Sequence, residues 1–454
     1  MNTRNNKGLM ISVGLGILLN PLNSSMISVA LARLQQVYRL QYTEVYWIIF
    51  AFYIASAVAQ PVMGKASDIF GRRKIFLAGL IIAFLASVLA PLSPGFGWLV
   101  CFRIVQSIGT SMMVAVGMAI VRIYVTERQA AALSVLSIFL SGAAAVGPFV
   151  GGVLIHWWDW HAIFFVNIPF AAASFVMAWK LIPRDAPRTE AGHLSIRNWM
   201  RLLDAAGIVL FAAGLVALLT GILSVKSSGQ FTLGNVMLMG IGVMLSWAFL
   251  RHELRTAAPF IPLRSFARHP AMAFVNIQFM LVNVLFYTLL FGLPTYLQSV
   301  RQVSEYHTGI LMLSLGLCSL LASPLAGKWV ERSGPQPALF VSALLMTLGS
   351  LWLIITVDAA SPVIYVCAPL AAFGISNGLT GVALQAALFQ SSPKEIIGVA
   401  SGVFNTSRYL GTILSSLLVG IVMGDQFSAA GLQTLGIILG LIALLLVFMN
   451  RRRL

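Results

Sequence analysis

The sequence predicts an all-α protein that crosses a lipid bilayer fourteen times, and its composition is the first indication. Of 454 residues, 59% are hydrophobic and only 9% are charged, whereas about a quarter of the residues in a soluble domain carry a charge. A chain so poor in charge cannot cover its folded surface for contact with water. It is suited to contact with lipid.

The net charge of +16 would favour a nucleic-acid ligand in a soluble protein. In a membrane protein the same excess belongs in short loops, where it sets the orientation of the helices, and we expect no nucleic-acid partner. The cysteines Cys101, Cys318 and Cys367 lie in apolar stretches without paired spacing. They are typical of small core residues, so we expect neither a metal site nor a cofactor.

About twenty apolar residues are needed to cross the hydrocarbon core of a bilayer. Fourteen stretches of roughly that length follow one another along the chain, and we number them helices 1 to 14. They cover residues 9–31, 46–64, 75–93, 98–121, 132–156, 162–182, 205–225, 232–250, 271–293, 308–329, 337–357, 363–386, 397–423 and 430–450.

The basic residues test this count independently. If the N-terminus lies inside and the helices alternate, the inner segments hold 23 Lys and Arg and the outer segments hold four. The remaining two, Arg103 and Arg408, lie within helices. Because basic loops stay on the cytoplasmic side, the distribution predicts a multi-pass inner-membrane protein with both termini in the cytoplasm.

The longest inner segment, residues 183–204, separates the first six helices from the others. It predicts an N-terminal six-helix bundle over residues 1–182 and a cytoplasmic linker over 183–204. Residues 196–203 of this linker suit a short amphipathic helix on the membrane surface, and an ordinary loop is an equal alternative.

Two inner loops share a pattern of glycine and charge. The loop after helix 2 reads Gly64-Lys65-Ala66-Ser67-Asp68-Ile69-Phe70-Gly71-Arg72-Arg73-Lys74, and a weaker copy over residues 327–334 follows helix 10. Gly64 would permit close helix approach, Gly71 would permit the turn, and Asp68 lies among cations at a helix end. A basic loop with turn glycines explains one copy, but two copies in corresponding positions are typical of repeated transporter architecture.

Helix 5 carries Gly142 and then Gly147-Pro148-Phe149-Val150-Gly151-Gly152. Glycines at this spacing let another helix pack at backbone distance, and Pro148 introduces a bend. A generic small-residue packing face is the alternative.

These motifs resemble signatures of the major facilitator superfamily. The Gly64–Lys74 loop resembles the signature between helices 2 and 3 of that superfamily, and the Gly147–Gly152 run resembles the helix 5 signature of its exporters. Residues 160–169, 203–207, 259–266 and 294–298 add a resemblance to the fourteen-helix drug:proton antiporter family over essentially the whole chain. The resemblance implies the major facilitator fold, with two six-helix bundles and an added two-helix hairpin. The hairpin would cover residues 205–268 and the C-terminal bundle residues 269–454, and we expect a monomer.

Two arginines within helices are candidates for substrate contact. Arg103 resembles the family's membrane-embedded arginine, although Ser107 stands where a glycine is common. A charge at that depth costs roughly 2.5–3.5 kcal/mol, so Arg103 should face a cavity or a partner; snorkelling toward the outer surface near Trp98 is the alternative. Arg408 lies roughly 16 Å into helix 13 at 1.5 Å per residue, and we expect it to face the interior.

Polar side chains on other helices would complete a substrate cavity, with hydrogen bonding between helices as the alternative for each. With the two arginines, the predicted set contains Asn20, Asn23, Ser24, Gln106, Asn276, Asn283, Tyr287, Asn377 and Gln385. The predicted gating set contains Gly64, Asp68, Gly71, Arg72, Arg73, Gly142, Gly147, Pro148, Gly151 and Gly152.

Helix 1 departs from the family pattern. The family usually places an acidic residue where this chain has Asn23, and all thirteen carboxylates fall in loops or at helix ends. No acid is therefore expected at mid-membrane, and the family's usual route of proton coupling is not predicted. Protons remain a candidate partner beside a small-molecule substrate and the bilayer.

Together these features predict a secondary active exporter of small amphiphilic molecules, drugs or metabolites, that works by alternating access. An exporter of anionic or lipid-like substrates, not coupled through a buried carboxylate, is the alternative. A membrane enzyme or receptor is not favoured, because no phosphate-binding loop, metal-ligand cluster or nucleophile constellation is present in the sequence. A sensor that has lost transport has no feature in its favour.

Overall fold

A computed structural model describes residues 3–125, 129–185, 204–228, 232–256, 259, 261, 263–356, 361–391, 397–423 and 428–451. Over these residues the regular structure is entirely helical. The predicted amphipathic segment 196–203 and most of the predicted linker lie outside the described residues.

In the described part of the chain, fourteen helices, α1 to α14, overlap helices 1 to 14 of the sequence in order. α1 consists of two segments that meet at Leu18. The bounds are Thr3–Ile17 with Leu19–Tyr38 (α1), Trp47–Phe70 (α2), Arg72–Leu89 (α3), Phe96–Tyr124 (α4), Gln129–Trp158 (α5), Asn167–Leu181 (α6), Ala205–Ser228 (α7), Leu233–Glu253 (α8), Pro270–Ser299 (α9), Glu305–Ser333 (α10), Pro335–Thr356 (α11), Cys367–Ser391 (α12), Ile397–Met423 (α13) and Ala429–Arg451 (α14).

Within the described residues, thirteen of these helices are long and apolar enough to span a membrane, α6 doing so together with the short helix Ala162–Phe165 before it. α5 has 30 residues, but within the described part of the chain its apolar stretch is the shorter Val146–Trp158. The predicted fold class, an all-helical membrane protein, is confirmed, and the span by α5 stays a prediction.

Local sequence explains where several helices begin and end. The Thr232 hydroxyl accepts the backbone N–H of Asn235 at the start of α8, and Ser304 accepts that of His307 at the start of α10, which satisfies donors that a helix leaves unpaired. Gly71 and Gly334 are the glycines with positive φ among the described residues, at +105° and +74°. They stand between α2 and α3 and between α10 and α11, at corresponding places in the two similar loops.

Large apolar side chains remain exposed along the helices. On α10, Leu317, Leu321 and Leu325 are exposed at four-residue spacing and therefore share one face. An apolar stripe of this kind would be a liability in water, but it is the surface that lipid requires.

The chain divides into two compact units. The first contains residues 1–20, 51–140 and 164–268, and the second contains residues 21–50, 141–163 and 269–454. In the first unit α3 packs on α4, and α7 packs on α8 as a hairpin; in the second, α10 and α11 pack on α12, and α9 packs on α13. The bundle and linker bounds given above stay predictions.

Candidate functional site

Arg103 on α4 lies in an enclosed aromatic and polar pocket of the first unit. It is 1% exposed, and its Nη1 donates to Oε1 of Gln106 over 2.8 Å. The Gln106 amide donates in turn to the Ser87 hydroxyl at 3.0 Å. The guanidinium carbon lies 4.2 Å from the ring centre of Phe52 and 6.0 Å from that of Phe164, so cation–π attraction contributes to holding it.

This pocket uses only part of the donor capacity of Arg103. Its Nε and Nη2 are buried and have no hydrogen-bond partner among the described residues, which is unusual for buried polar groups. The burial does not fit the snorkelling alternative. It leaves a cationic group with unused donors inside the membrane-spanning part of the fold.

Ser107 joins α4 to α2. Its hydroxyl donates to the carbonyl of Phe52 at 2.5 Å and lies 2.7 Å from the Ser56 hydroxyl. One turn later, the Thr110 hydroxyl accepts the Asn20 side-chain amide at 3.0 Å. For Asn20 the structure thus shows a hydrogen bond between helices.

In the second unit, α9 and α13 meet through aromatic and amide contacts. The rings of Phe279 and Phe404 stack with centroids 3.7 Å apart and planes at 2°. Ser407 donates its hydroxyl to the side-chain oxygen of Asn276 at 3.1 Å, while the Asn283 amide donates to the backbone carbonyl of Phe279 at 2.7 Å. Both asparagines are buried.

Arg408 lies on α13 close to this contact and is half-buried. Its Nη2 donates to the Tyr409 hydroxyl at 3.0 Å, and its guanidinium carbon lies 4.9 Å from the centre of that ring. A Cβ on Gly411 would overlap the carbonyl of Met280, so α13 approaches α9 at backbone distance. Tyr287 on α9 is half-buried.

The other candidate cavity residues differ in their surroundings. Asn377 on α12 donates to the Ser319 hydroxyl of α10 at 3.0 Å, and Gln385 is exposed. Asn23 and Ser24 are both 3% exposed, and the Ser24 hydroxyl donates to a backbone carbonyl three residues earlier at 3.0 Å.

The candidate set is therefore divided between the two units. The first unit holds Asn20, Arg103 and Gln106, and the second holds Asn23, Ser24, Asn276, Asn283, Tyr287, Asn377, Gln385 and Arg408. The structure brings Arg103 together with Gln106. A single substrate cavity lined by the whole set stays a prediction.

The glycine run of α5 packs against the second segment of α1, within the second unit. A Cβ on Gly147 would overlap the Ser25 hydroxyl, and a Cβ on Gly151 would lie 3.0 Å from the carbonyl of Met26. Ser25 also donates its hydroxyl toward the carbonyl of Ala143 at 3.4 Å. Glycine is needed here because a side chain would force the two helices apart.

The other side of the same run meets α10. A Cβ on Gly152 would lie 2.5 Å from the carbonyl of Glu305, and one on Gly309 would lie 3.0 Å from the carbonyl of Pro148. At Gly142, five residues before Gly147, the nearest described atom to the Cβ position belongs to Leu320, at 3.9 Å. Among the glycines of α5, the close contacts that the structure describes are those of the Gly-Pro-x-x-Gly-Gly part.

Asp185, just after α6, caps the start of α3 and was not singled out by sequence reasoning. Its carboxylate oxygens accept the backbone N–H groups of Arg73 and Lys74 at 3.1 and 3.2 Å, a favourable place for an anion at a helix N-terminus. A Cβ on Gly71 would overlap this carboxylate. Arg73 adds a hydrogen bond to the carbonyl of Trp179 and lies 5.2 Å over its ring.

The glycines that open the two similar loops have open surroundings among the described residues. No described atom lies within 4 Å of the Cβ position of Gly64, nor of Gly327 in the second copy, so a close helix approach at Gly64 stays a prediction. Arg72 is half-buried. The side chain of Asp68 lies outside the described part of the chain.

A polar cavity of about 420 Å³ in the second unit was also not predicted. It lies between the end of α1 and the α9–α10 connection, and Arg33, Gln36, Gln298 and Glu305 are among its lining residues. Arg33 donates two hydrogen bonds of 2.8 Å to the carboxylate of Asp159. Hydrogen bonding by Arg33 is the main reason that the pKa of Asp159 lies below its usual value.

The resemblance noted in the sequence fits three features of the structure: a buried arginine, helix contacts through glycine, and a surface suited to lipid. A comparison with known families identifies the family. The sequence profile described as Major Facilitator Superfamily matches residues 13–416. The chain belongs to the Major Facilitator Superfamily. It is therefore a multi-pass membrane transporter for a small-molecule substrate and not an enzyme.

Several relatives carry transport or resistance names. An uncharacterised transporter of the same superfamily from Bacillus subtilis, YwoD, is 43% identical over 95% of this chain and 93% of its own length. The tetracenomycin C resistance and export protein of Streptomyces glaucescens is 27% identical over 92% of this chain and 76% of its own. A multidrug resistance protein B homologue of Mycobacterium tuberculosis is 28% identical over 84% of this chain and 69% of its own length.

Proposed function

We propose that this transporter is a secondary active exporter of small amphiphilic molecules and belongs to the fourteen-helix drug:proton antiporter family. It would work by alternating access in the inner membrane, as a monomer with both termini in the cytoplasm. The observation that carries the proposal is the double packing of the Gly147–Gly152 run, against α1 on one side and α10 on the other.

This contact has the properties that alternating access requires. α1 and α5 belong to the predicted N-terminal bundle and α10 to the C-terminal one, so the run is a place where the two repeats meet. Such a contact must close in one state and open in the other. Glycine backbones suit that task, because no long side chains have to interlock and repack at each cycle.

Two further observations support the proposal, one for the added hairpin and one for export. α7 and α8 pack on each other, as an added hairpin over residues 205–268 would. The names of two relatives, one a tetracenomycin C resistance and export protein and the other a multidrug resistance protein B homologue, favour export.

A second candidate is export of anionic or lipid-like substrates without coupling through a mid-membrane carboxylate. It is favoured by Arg103, whose Nε and Nη2 are buried without partners among the described residues. It is also favoured by Asn23, an amide 3% exposed at the position where the family usually has an acid. A monovalent cation near such residues would have no fixed counter-charge in a medium of low dielectric constant.

Flux measurements on purified protein in liposomes test both candidates. The probes are a lipophilic cation of the ethidium type and an anionic fluorescent amphiphile, each with and without an imposed pH gradient. Protein-dependent flux of either probe supports export, and its absence for both probes and for neutral amphiphiles contradicts it. Strong gradient-driven transport of the cation by the unmodified protein contradicts the second candidate.

The variant Asn23→Asp sharpens the choice between the candidates. It places an acid at the family's position, so under the second candidate it should improve transport of the cation relative to the anion. Asn23→Ala is the matched control, because it removes the amide without adding a charge. Equal effects of the two substitutions would show that the charge at this position does not set selectivity.

A further inference from the structure

The base of the α7–α8 hairpin contains buried ionisable groups that transport, as proposed above, does not use. Asp204 precedes α7 and is 4% exposed, and Glu253 ends α8 and is 0% exposed. Both belong to the same end of the hairpin in the first unit. Burying two carboxylates so close together is costly unless their charge is reduced.

The two carboxyl groups lie close together beside Gly207. One oxygen of each, Oδ2 of Asp204 and Oε1 of Glu253, lies 2.5 Å from the position that a Cβ on Gly207 would occupy. The two oxygens can therefore be no farther apart than twice that distance, which is close enough for each carboxyl group to act on the charge of the other. A side chain at position 207 would separate them, so glycine permits the pairing.

The other atoms of the pair are occupied. Asp204 accepts the backbone N–H of Gly207 at 3.2 Å and contacts Nε2 of His252 at 2.6 Å, while Oε2 of Glu253 accepts the backbone N–H of Ile261 at 2.9 Å. Oε1 of Glu253 is buried and has no donor among the described residues. This buried oxygen, close to another carboxylate, therefore lacks the hydrogen that would satisfy it.

We propose that Asp204 and Glu253 form a proton-binding site in which one proton is shared between Oδ2 and Oε1. The proton supplies the missing donor and removes one of two like charges from a buried place. His252, whose side chain is 30% exposed, connects the pair to solvent. The described residues contain no group of three side chains suited to a metal ion.

Within the described residues, few ionisable groups face the pair. Asp204 from the start of α7 and His252 from α8 act on Glu253, and the contact of His252 is with Asp204. From the segment after α8 come the Ile261 N–H and the Thr256 hydroxyl, which lies 3.1 Å from Nε2 of His252. The guanidinium of Arg264 donates to the backbone carbonyl of Leu254.

The site also joins two parts of the chain. Through Ile261, Glu253 holds the segment that leads from the hairpin toward α9, so loss of the proton places a second buried charge at this joint. If the native state holds a proton that the unfolded chain releases, the native state loses stability as pH rises. An unfolded Glu ionises with a pKa of about 4.3. As pH rises above that value, the free energy of unfolding should therefore fall, with a slope of at most that for one proton released on unfolding.

Infrared spectroscopy of the full-length protein in detergent tests the shared proton directly and needs no substrate. At neutral pH the carbonyl stretch of a protonated carboxylic acid should be present, and it should be lost in both Glu253→Gln and Asp204→Asn. The control Glu331→Gln alters an exposed carboxyl and should leave the band unchanged. Absence of the band from the unmodified protein, or its persistence in both variants, overturns the proposal.

Thermal unfolding as a function of pH provides a second readout. Glu253→Gln should fold, since its amide can accept from Ile261 and donate to Asp204, and its stability should lose the fall with rising pH. His252→Gln removes the imidazole but should keep that fall. A pH dependence that survives Glu253→Gln and disappears in His252→Gln would assign the titration to the histidine and refute the shared proton.

Discussion

At the scale of single residues, Gly71 shows how a backbone angle and a carboxylate act at one place. Its φ of +105° is one that side chains rarely adopt, and a Cβ would overlap Asp185, which caps α3. We expect Gly71→Ala to lower the free energy of unfolding by roughly 1–3 kcal/mol through backbone strain, and to impair transport by displacing the cap. Thermal unfolding and flux measure the two effects.

Gly64 provides the matched control in the same loop. Its Cβ position is free of described atoms within 4 Å, and alanine is favoured over glycine within a helix by roughly 0.5–1 kcal/mol. Gly64→Ala should therefore be neutral or slightly stabilising. Equal losses in the two variants would contradict the difference that we assign to φ and Asp185.

The ion pair of Arg33 and Asp159 gives a pH dependence of the opposite sign to the hairpin base. The hydrogen bond from Arg33 lowers the pKa of Asp159, so the pair stabilises the fold above the unfolded pKa of about 3.9 and is lost as pH falls through the lowered value. Both side chains are more than a third exposed, which limits the effect to no more than about 1 kcal/mol.

Asp159→Asn should consequently lower stability by the same small amount at neutral and mildly acidic pH. The difference from the unmodified protein should vanish in strong acid, and high salt should reduce it. Melting curves across pH check this. A difference that grows as the solution becomes mildly acidic would mean that another group titrates at the pair.

At the scale of elements, two glycines of α5 differ in the room around their Cβ positions. Gly152→Ala brings a Cβ within 2.5 Å of the Glu305 carbonyl, whereas the nearest described atom to the Cβ of Gly142→Ala is 3.9 Å away. We expect Gly152→Ala to reduce flux severely and Gly142→Ala to leave it near normal, at equal expression. Similar flux in both variants would remove the packing argument for export.

Helix positions were predictable from the sequence because hydropathy and span length act locally. All fourteen predicted spans overlap long helices, since a run of apolar residues has few other solutions in a bilayer. The surroundings of individual polar residues were less predictable. The backbone partner of Glu253 depends on the chain returning to place Ile261 beside it. The exposure of Gln385 is likewise not encoded within its own helix.

Asp185 illustrates the same limit for the candidate site. In the sequence it is one of several carboxylates in a loop, 111 positions from the Lys74 N–H that it accepts. Only the packing of α6 on α3 brings the two together. The glycine run of α5 was found from sequence because its spacing is itself the signal, whereas a cap supplied from a distant loop leaves no pattern.

At the scale of the whole molecule, the distribution of basic residues predicts the orientation in the membrane. Both termini and residues 183–204 should face the cytoplasm, and residues 295–306 should face outside. Reporter fusions at Pro187 and Gln302 should therefore report opposite sides. The same sidedness for the two fusions would refute the orientation and, with it, the assignment of the inner loops.

The exposed apolar face of the hairpin helix α8 affects which of its residues can change during evolution. Val243, Met244 and Trp247 are more than half exposed, and lipid discriminates poorly among apolar side chains. Such positions should exchange Leu, Ile, Val and Met freely between descendants of one ancestor. Gly242, whose Cβ would lie 2.7 Å from the backbone nitrogen of Leu218, should hardly change, so substitution rates along α8 should rise and fall with its helical period.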